Sequence, residues 1–332
     1  KQKLDRHQFG GTLGGPLAKG KTFFFASYEG TRENQGLPVN LTVPSAAMKR
    51  GDFSAVRNVL YDPTTGQPFP GNVIPANRLS PQAQYFAKYL PDPNVGTGNF
   101  TWSPERMLHA DQFTLRLDHS LSEKHKMFLR YSFHDNRMED PSSTLGNPSS
   151  AFPGLGNAHI HTRGQNIVAS LTSTLKPTLL NEFRASYLPQ VVDLEPFGLG
   201  TNYLQEAGIR GFEETGRPGV VGSFPDFAWS GYSSMNGSAF DQRPKTQDLK
   251  VLEFTDNVTL LRGRHIVKVG TKIRRWLPHF TDSKQYQGQW TYNAFATQNP
   301  ASPTGTGDAF ADFMLGMPRQ VVRSFPADTF GG

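Results

Sequence analysis

The sequence predicts an all-β protein, part of a large antiparallel transmembrane β-barrel with short periplasmic turns and long extracellular loops. Three observations lead there. Apolar residues recur at every second position through several segments, the period of a strand with one apolar and one polar face. Those segments come in pairs around tight turns. Between the pairs lie connections far beyond the roughly 12–15 irregular residues that compact domains tolerate. Strict alternation of short and long connections has no cause in a sandwich, whereas a barrel puts its turns at one end and its loops at the other.

The clearest strand is Gln112–Leu121. Phe113, Leu115, Leu117 and Leu121 point one way, and Gln112, Thr114, Arg116, Asp118 and Ser120 the other. After a polar turn, Ser122 to His125, the pattern resumes with Met127, Leu129, Tyr131 and Phe133. The same unit recurs. His7–Leu13 and Thr22–Glu29 form a first hairpin around Leu17–Lys21. Gln112–Leu121 and Lys126–Asp135 form a second. Gln165–Leu175 and Leu179–Leu188 form a third around Lys176-Pro177-Thr178. Leu249–Leu260 and His265–Trp276 form a fourth around Arg262-Gly263-Arg264. Each strand is about 9–11 residues, the length a tilted strand needs to cross a bilayer. Gln289–Phe295 and Arg319–Phe325 are weaker strand candidates, bringing the expectation to about ten strands over residues 1–332.

The long connections run roughly over 30–110, 136–164, 189–248 and 277–318. In the first, Ser45 is placed to cap a short helix that stops at Gly51. Ser80-Pro81 is a better helix start, since proline at the first helical position lacks only an N–H that would be orphaned anyway. That helix is expected to run to about Leu90, before Pro91. Tyr61–Pro75 between them is turn chemistry, and 189–248 is rich in Gly, Pro and Phe with no period.

Composition narrows the class. Apolar residues are 36% of the 332 and mean hydropathy is −0.50, yet there are 25 phenylalanines. A barrel reconciles these, because only alternate residues meet lipid while aromatics ring the interfaces; on composition alone a large soluble sandwich or propeller is slightly favoured. With no cysteine, disulfide frameworks and thiolate metal sites are excluded. No run of 18 apolar residues offers a transmembrane helix. The net charge of +6 is scattered, which reads as solvated surface and gives no reason to expect a nucleic-acid partner. No signal peptide is visible and the chain opens at Lys1 in strand-like sequence, so a fragment or processed product is expected.

Chemistry-bearing residues fall on the polar faces. Inward candidates are Arg116, Asp118, Lys126 and Arg130 in the second hairpin, Glu182 and Arg184 in the third, and Glu253, Lys268, Lys272 and Arg274 in the fourth. Opposite charges on neighbouring strands can pair there. Their simplest role is to keep a barrel wall wet and paired; substrate contact is the alternative. No catalytic residue, metal site or cofactor is predicted. His159 and His161, spaced i, i+2, lack a third ligand and read as loop histidines. Gly305-Thr306-Gly307 has no Walker lysine and reads as a loop. Asp308 and Asp312 flank Ala309–Ala311 on one face of a short helical turn, where capping explains them better than acid–base work. The Asn-x-Ser/Thr triplets at Asn40 and Asn236 mean little if the protein is bacterial.

Several segments carry a more specific resemblance. Arg6–Gly30, Val43–Ser54, Tyr61–Pro75, Asp111–Phe133, Leu179–Tyr187, Arg262–Arg275 and Gly307–Gly316 resemble the Oar-like TonB-dependent outer-membrane receptors, end to end and in order. The resemblance implies a barrel of about 22 strands with a plugged lumen, often preceded by a carboxypeptidase-regulatory-like domain, and import driven through a TonB complex. This stretch is expected to be an N-terminal portion of such a barrel. The plug, the TonB-contacting segment and the aromatic-ended C-terminal strand are expected to lie outside it. The partners implied are the outer-membrane bilayer, the TonB complex through that missing N-terminal region, and a bulky hydrophilic substrate such as a saccharide, siderophore or peptide. Two rivals stay open at this point. One is an outer-membrane adhesin or structural surface protein, which long loops equally permit. The other is a secreted β-rich enzyme acting on polysaccharide, which close-set carboxylates would favour.

Overall fold

A computed structural model describes residues 3–141, 152–154, 158–196, 198–212, 222–235, 245–282, 287–323 and 327–330. The Asn236 triplet lies outside them.

In chain order, β1 (Leu4–Ala18) and β2 (Thr22–Gly36) form the first hairpin. The connection that follows carries β3 (Val39–Thr42), a 3-10 turn at Met48–Arg50, α1 (Pro81–Ala87) and β4 (Asn99–Trp102). The second hairpin is β5 (Glu105–Ser120) and β6 (His125–Glu139), the third β7 (Ala158–Lys176) and β8 (Leu179–Pro196). Then come α2 (Tyr203–Glu206) and β9 (Asp226–Trp229). The fourth hairpin is β10 (Lys245–Arg262) and β11 (His265–Asp282). After it lie β12 (Gln289–Tyr292), α3 (Ala309–Met314), β13 (Gln320–Val322) and β14 (Ala327–Phe330).

The long strands make one antiparallel meander in the order β1-β2-β5-β6-β7-β8-β10-β11-β14. Each tight turn falls at one end of the sheet and each long connection at the other. All four expected hairpins are present, but their strands have 15–19 residues rather than 9–11. At a rise of about 3.3 Å and a tilt of about 45°, such strands climb roughly 35–45 Å, well beyond an apolar band about 25 Å tall. Among the described residues the sheet does not close on itself: β1 is paired through β2 alone. It holds eight long strands and the short β14 among those residues. Gln289–Phe295 and Arg319–Phe325 supply β12 and β13; β12 lies between β13 and β9 in a separate three-stranded sheet. Three- and four-residue strands are too short to cross a bilayer.

That small sheet belongs to a second layer of structure that the sequence conceals. The long connections are not separate loops; they fold together into a cap with its own apolar core. Phe53, Leu60, Ile74 and Phe86 come from the first connection, Phe152 from the second, Phe227 and Met235 from the third, and Phe310, Phe313 and Met314 from the fourth. The rings interlock across connections: Phe86 lies 4.8 Å from Phe227, and Phe227 lies 5.5 Å from Phe313. The phenylalanine richness therefore has a second cause beyond interfacial belts. Backbone hydrogen bonds stitch the same segments, from Tyr61 N to Thr297 O at 2.8 Å and from Ser80 N to Met314 O at 2.8 Å.

Local chemistry explains the cap's short elements. Ser45 Oγ accepts from Met48 N at 3.3 Å, and Gly51, at φ 91°, ends that turn where a side chain would be strained. Ser80 Oγ accepts from Ala83 N and caps α1, which stops at Ala87, one turn short of the expected Leu90. The Asp62 carboxylate accepts from Thr64 N at 2.8 Å and is held by Arg78 at 2.8 and 3.0 Å. The Arg78 guanidinium, with the Thr64 hydroxyl and N–H, keeps that carboxyl far below the usual carboxylate range. Asn72 Oδ1 accepts from Leu60 N at 2.9 Å while its Nδ2 donates to Asn58 O at 2.8 Å, pinning two turns together.

Candidate functional site

The strand register places the predicted charged residues on one face of the sheet. Arg116 is opposite Arg130, then Val168, Ser186, Glu253 and Arg274 across six strands. The next row runs Asp118, Phe128, Ser170, Arg184, Thr255 and Lys272. A third holds Ser120, Lys126, Thr172, Glu182 and Asn257. Lys268, opposite Thr259, has the same parity. Leu117 pairs with Leu129 on the reverse face, in a row with Phe24, Ala169, Ala185, Phe254 and Ile273.

Two groups form among the predicted residues of this face. Arg116 donates to Asp118 from Nε at 2.8 Å and from Nη2 at 2.7 Å, and its guanidinium lies 4.1 Å from the Phe128 ring centre. Arg130 sits beside it and reaches Asn166 at 3.4 Å. Farther along, Glu253 accepts from Arg274 Nε at 2.6 Å and pairs with Lys272 at 3.5 Å. Glu182, Arg184 and Lys268 make no ion pair among the described residues. The face is thus studded with charge, partly self-neutralised, and among the described residues the predicted carboxylates Asp118, Glu182 and Glu253 stand in different rows.

Sequence reasoning missed the charged end of the apolar face. Toward the long connections, the face bearing Leu115 and Tyr131 turns polar. Asp135 there accepts from His161 at 2.7 Å, Arg163 at 2.8 Å and Arg137 at 3.2 Å. Asp111 accepts from Arg32 Nη2 on both its oxygens, at 2.9 and 3.0 Å, and from the Tyr28 hydroxyl at 2.6 Å. His159 and His161, expected in a loop, belong to β7 and share this face. The signal was present: the alternation continues past Gln112 through Asp111 and His109, but with both faces polar it reads as loop.

The cap holds the most enclosed chemistry. Asp308 caps α3, accepting from Phe310 N at 2.8 Å and Ala311 N at 3.1 Å, as the sequence suggested, and also takes the Tyr232 hydroxyl at 2.9 Å. Asp312 does something else. Fully buried, it accepts from Ala296 N at 3.2 Å, Thr297 N at 2.9 Å and the Thr297 hydroxyl at 2.7 Å. Burial pushes its carboxyl up to about 6 despite those donors. Burial likewise raises Asp308 and, most of all, Asp226, whose Oδ1 is unpartnered among the described residues. Gly305-Thr306-Gly307 is a loop, as expected. No cluster of three metal-ligating side chains occurs among the described residues.

An antiparallel meander with one apolar and one charged face, turns at one end and a folded cap at the other, defines a barrel wall of the outer-membrane kind. The chain belongs to the outer membrane beta barrel domain family, whose pattern it matches over residues 1–331, and it resides in the outer membrane. Among solved structures it is similar to the siderophore receptor PiuA from Acinetobacter baumannii, with 12% identity and a TM-score of 0.29. That match covers 86% of this chain and 41% of the receptor, so the chain spans less than half its length. No curated protein matches the sequence.

Proposed function

We propose that this chain is wall and outer cap of a TonB-dependent receptor that imports a bulky hydrophilic substrate, and that it is not an enzyme. The observation that carries the reading is the pairing of a charged sheet face with a cap folded from all four long connections. A lumen lined by Arg116, Asp118, Arg130, Glu182, Arg184, Glu253, Lys268, Lys272 and Arg274 suits a polar cargo, and a cap with a packed core can present a binding surface of fixed shape. The end-to-end resemblance to Oar-like receptors supplies the TonB dependence. The reading places the cap outside the cell and the tight turns in the periplasm.

Energised uptake is the test. The complete protein is expected to accumulate its substrate only with a TonB complex and a proton gradient. Collapsing the gradient should stop accumulation and leave surface binding intact. Uptake that continues unchanged indicates a passive porin. Firm binding to surfaces without uptake under any condition indicates the adhesin.

A further inference from the structure

We infer that the cap contains a binding pocket for a single neutral sugar ring, formed between α1, β9, β12 and α3. A cavity of about 190 Å³ opens there, floored by Phe86, Phe227, Tyr292 and Phe313 and rimmed by Gln82 and Trp290. Drug-sized sites run to roughly 300–1,000 Å³, so this one takes a ring and not a chain. None of the lining side chains is charged, which excludes a carboxylate, phosphate or ammonium group as the part that enters.

Its polar atoms are few and free. Tyr292 is 4% exposed, yet its hydroxyl has no hydrogen-bond partner among the described residues. Gln82 Oε1 is occupied by the Ser80 hydroxyl at 3.0 Å, leaving its Nε2 without a partner among them. A phenol hydroxyl and an amide N–H without protein partners are open to a ligand or to water. The aromatic plane beside them is held rigidly. Trp290 packs on Phe212 at 5.4 Å, and the Arg323 guanidinium lies 4.7 Å from the Phe212 ring centre.

Aromatic planes beside one donor amide and one hydroxyl, without charge, match a pyranose. Its C–H face packs on the rings while its hydroxyls take the Gln82 N–H and the Tyr292 hydroxyl. An apolar peptide side chain would fill the same space but would leave both polar groups unpaired. The pocket also depends on Gly316. At φ 71°, any side chain there would be strained, and its Cβ would lie 2.9 Å from Ser80 Cβ and Oγ at the rim.

This assignment deepens the importer reading by naming part of the cargo, but the binding it claims does not depend on transport. The test uses the full chain folded in detergent, with glucose, galactose, mannose and N-acetylglucosamine and their β-linked dimers as probes, read by calorimetry and saturation-transfer NMR. At least one sugar should bind. Gln82→Ala and Trp290→Leu should each weaken it about tenfold, the equivalent of roughly 1.4 kcal/mol, with the cap's hydrogen-exchange protection unchanged. Tyr292→Phe, which keeps the ring, should weaken it as well. Failure of every sugar to bind the wild type overturns the pocket, as does binding that both rim variants leave intact. Capture of a leucine-containing peptide with the same residue dependence overturns it too. Sugar binding without energised uptake leaves the pocket standing and removes the importer; energised uptake of a substrate while every sugar fails to bind does the reverse.

Discussion

Thr297 gives both its backbone N–H, at 2.9 Å, and its hydroxyl, at 2.7 Å, to the buried Asp312 carboxylate, which ties the segment before α3 to the helix itself. Ala296 N adds a third donor at 3.2 Å. Asp312→Ala would bury those donors unpaired, at roughly 1–3 kcal/mol for each group left unsatisfied. The cap should loosen around 296–314 while the sheet persists, seen as faster hydrogen exchange in that stretch alone. Asp312→Asn, which keeps an acceptor, should be milder.

The same carboxylate gives the cap a pH dependence. Burial raises Asp312 to about 6 in the folded protein, against about 3.9 in an unfolded chain. A raised carboxyl favours the neutral form on folding, so its contribution is complete below about pH 4 and is lost as pH rises through 6. A shift of two units amounts to about 3 kcal/mol. Asp308, also raised by burial, acts in the same direction. Asp62, lowered by Arg78, acts oppositely but only well below pH 4. Protection of 296–314, corrected for intrinsic exchange, should therefore fall between pH 5 and pH 7.5. A rise would contradict the assignment.

Phe310 ties the connections together, 6.5 Å from Phe53 of the first and 6.1 Å from Trp229 of the third. Truncating a fully buried phenylalanine costs roughly 3–5 kcal/mol. Phe310→Ala should make the cap sensitive to a protease that leaves the wild-type cap intact. Cleavage at equal rates would mean that the connections do not share a core.

The two faces of the sheet should respond differently to charge. Leu117→Arg, in the apolar row with Leu129, should cost about 2–4 kcal/mol if it lies near the bilayer midplane. Thr114→Arg, on the charged face, should be nearly neutral. Equal folding yields of the two variants in lipid vesicles would reverse the faces.

How much of this was legible in the sequence follows from periodicity. The strands showed where one face is apolar, as from Phe113 to Leu117, because a period of two survives there. They vanished where both faces turn polar, at Asp111, Asp135 and Arg163, although the backbone ladder continues. The cap was illegible for a different reason. Phe53, Leu60, Phe69 and Ile74 are single apolar residues presented by turns at irregular spacing, and they join one core with residues more than a hundred positions away, as Phe53 does with Phe310. The capping chemistry of Ser80 and Asp308 was readable because it is local; the task of Asp312 was not, since its partners lie on another segment.

The central claim is that the folded cap faces outward from the cell and the tight turns face inward. The chain has no cysteine, so single cysteines can be placed at Gly66, in a cap turn, and at Gly263, in the β10–β11 turn. On intact cells producing the complete protein, a membrane-impermeant maleimide should label position 66 and spare position 263 until the outer membrane is breached. Labelling at 263 with protection at 66 would invert the topology and contradict the account.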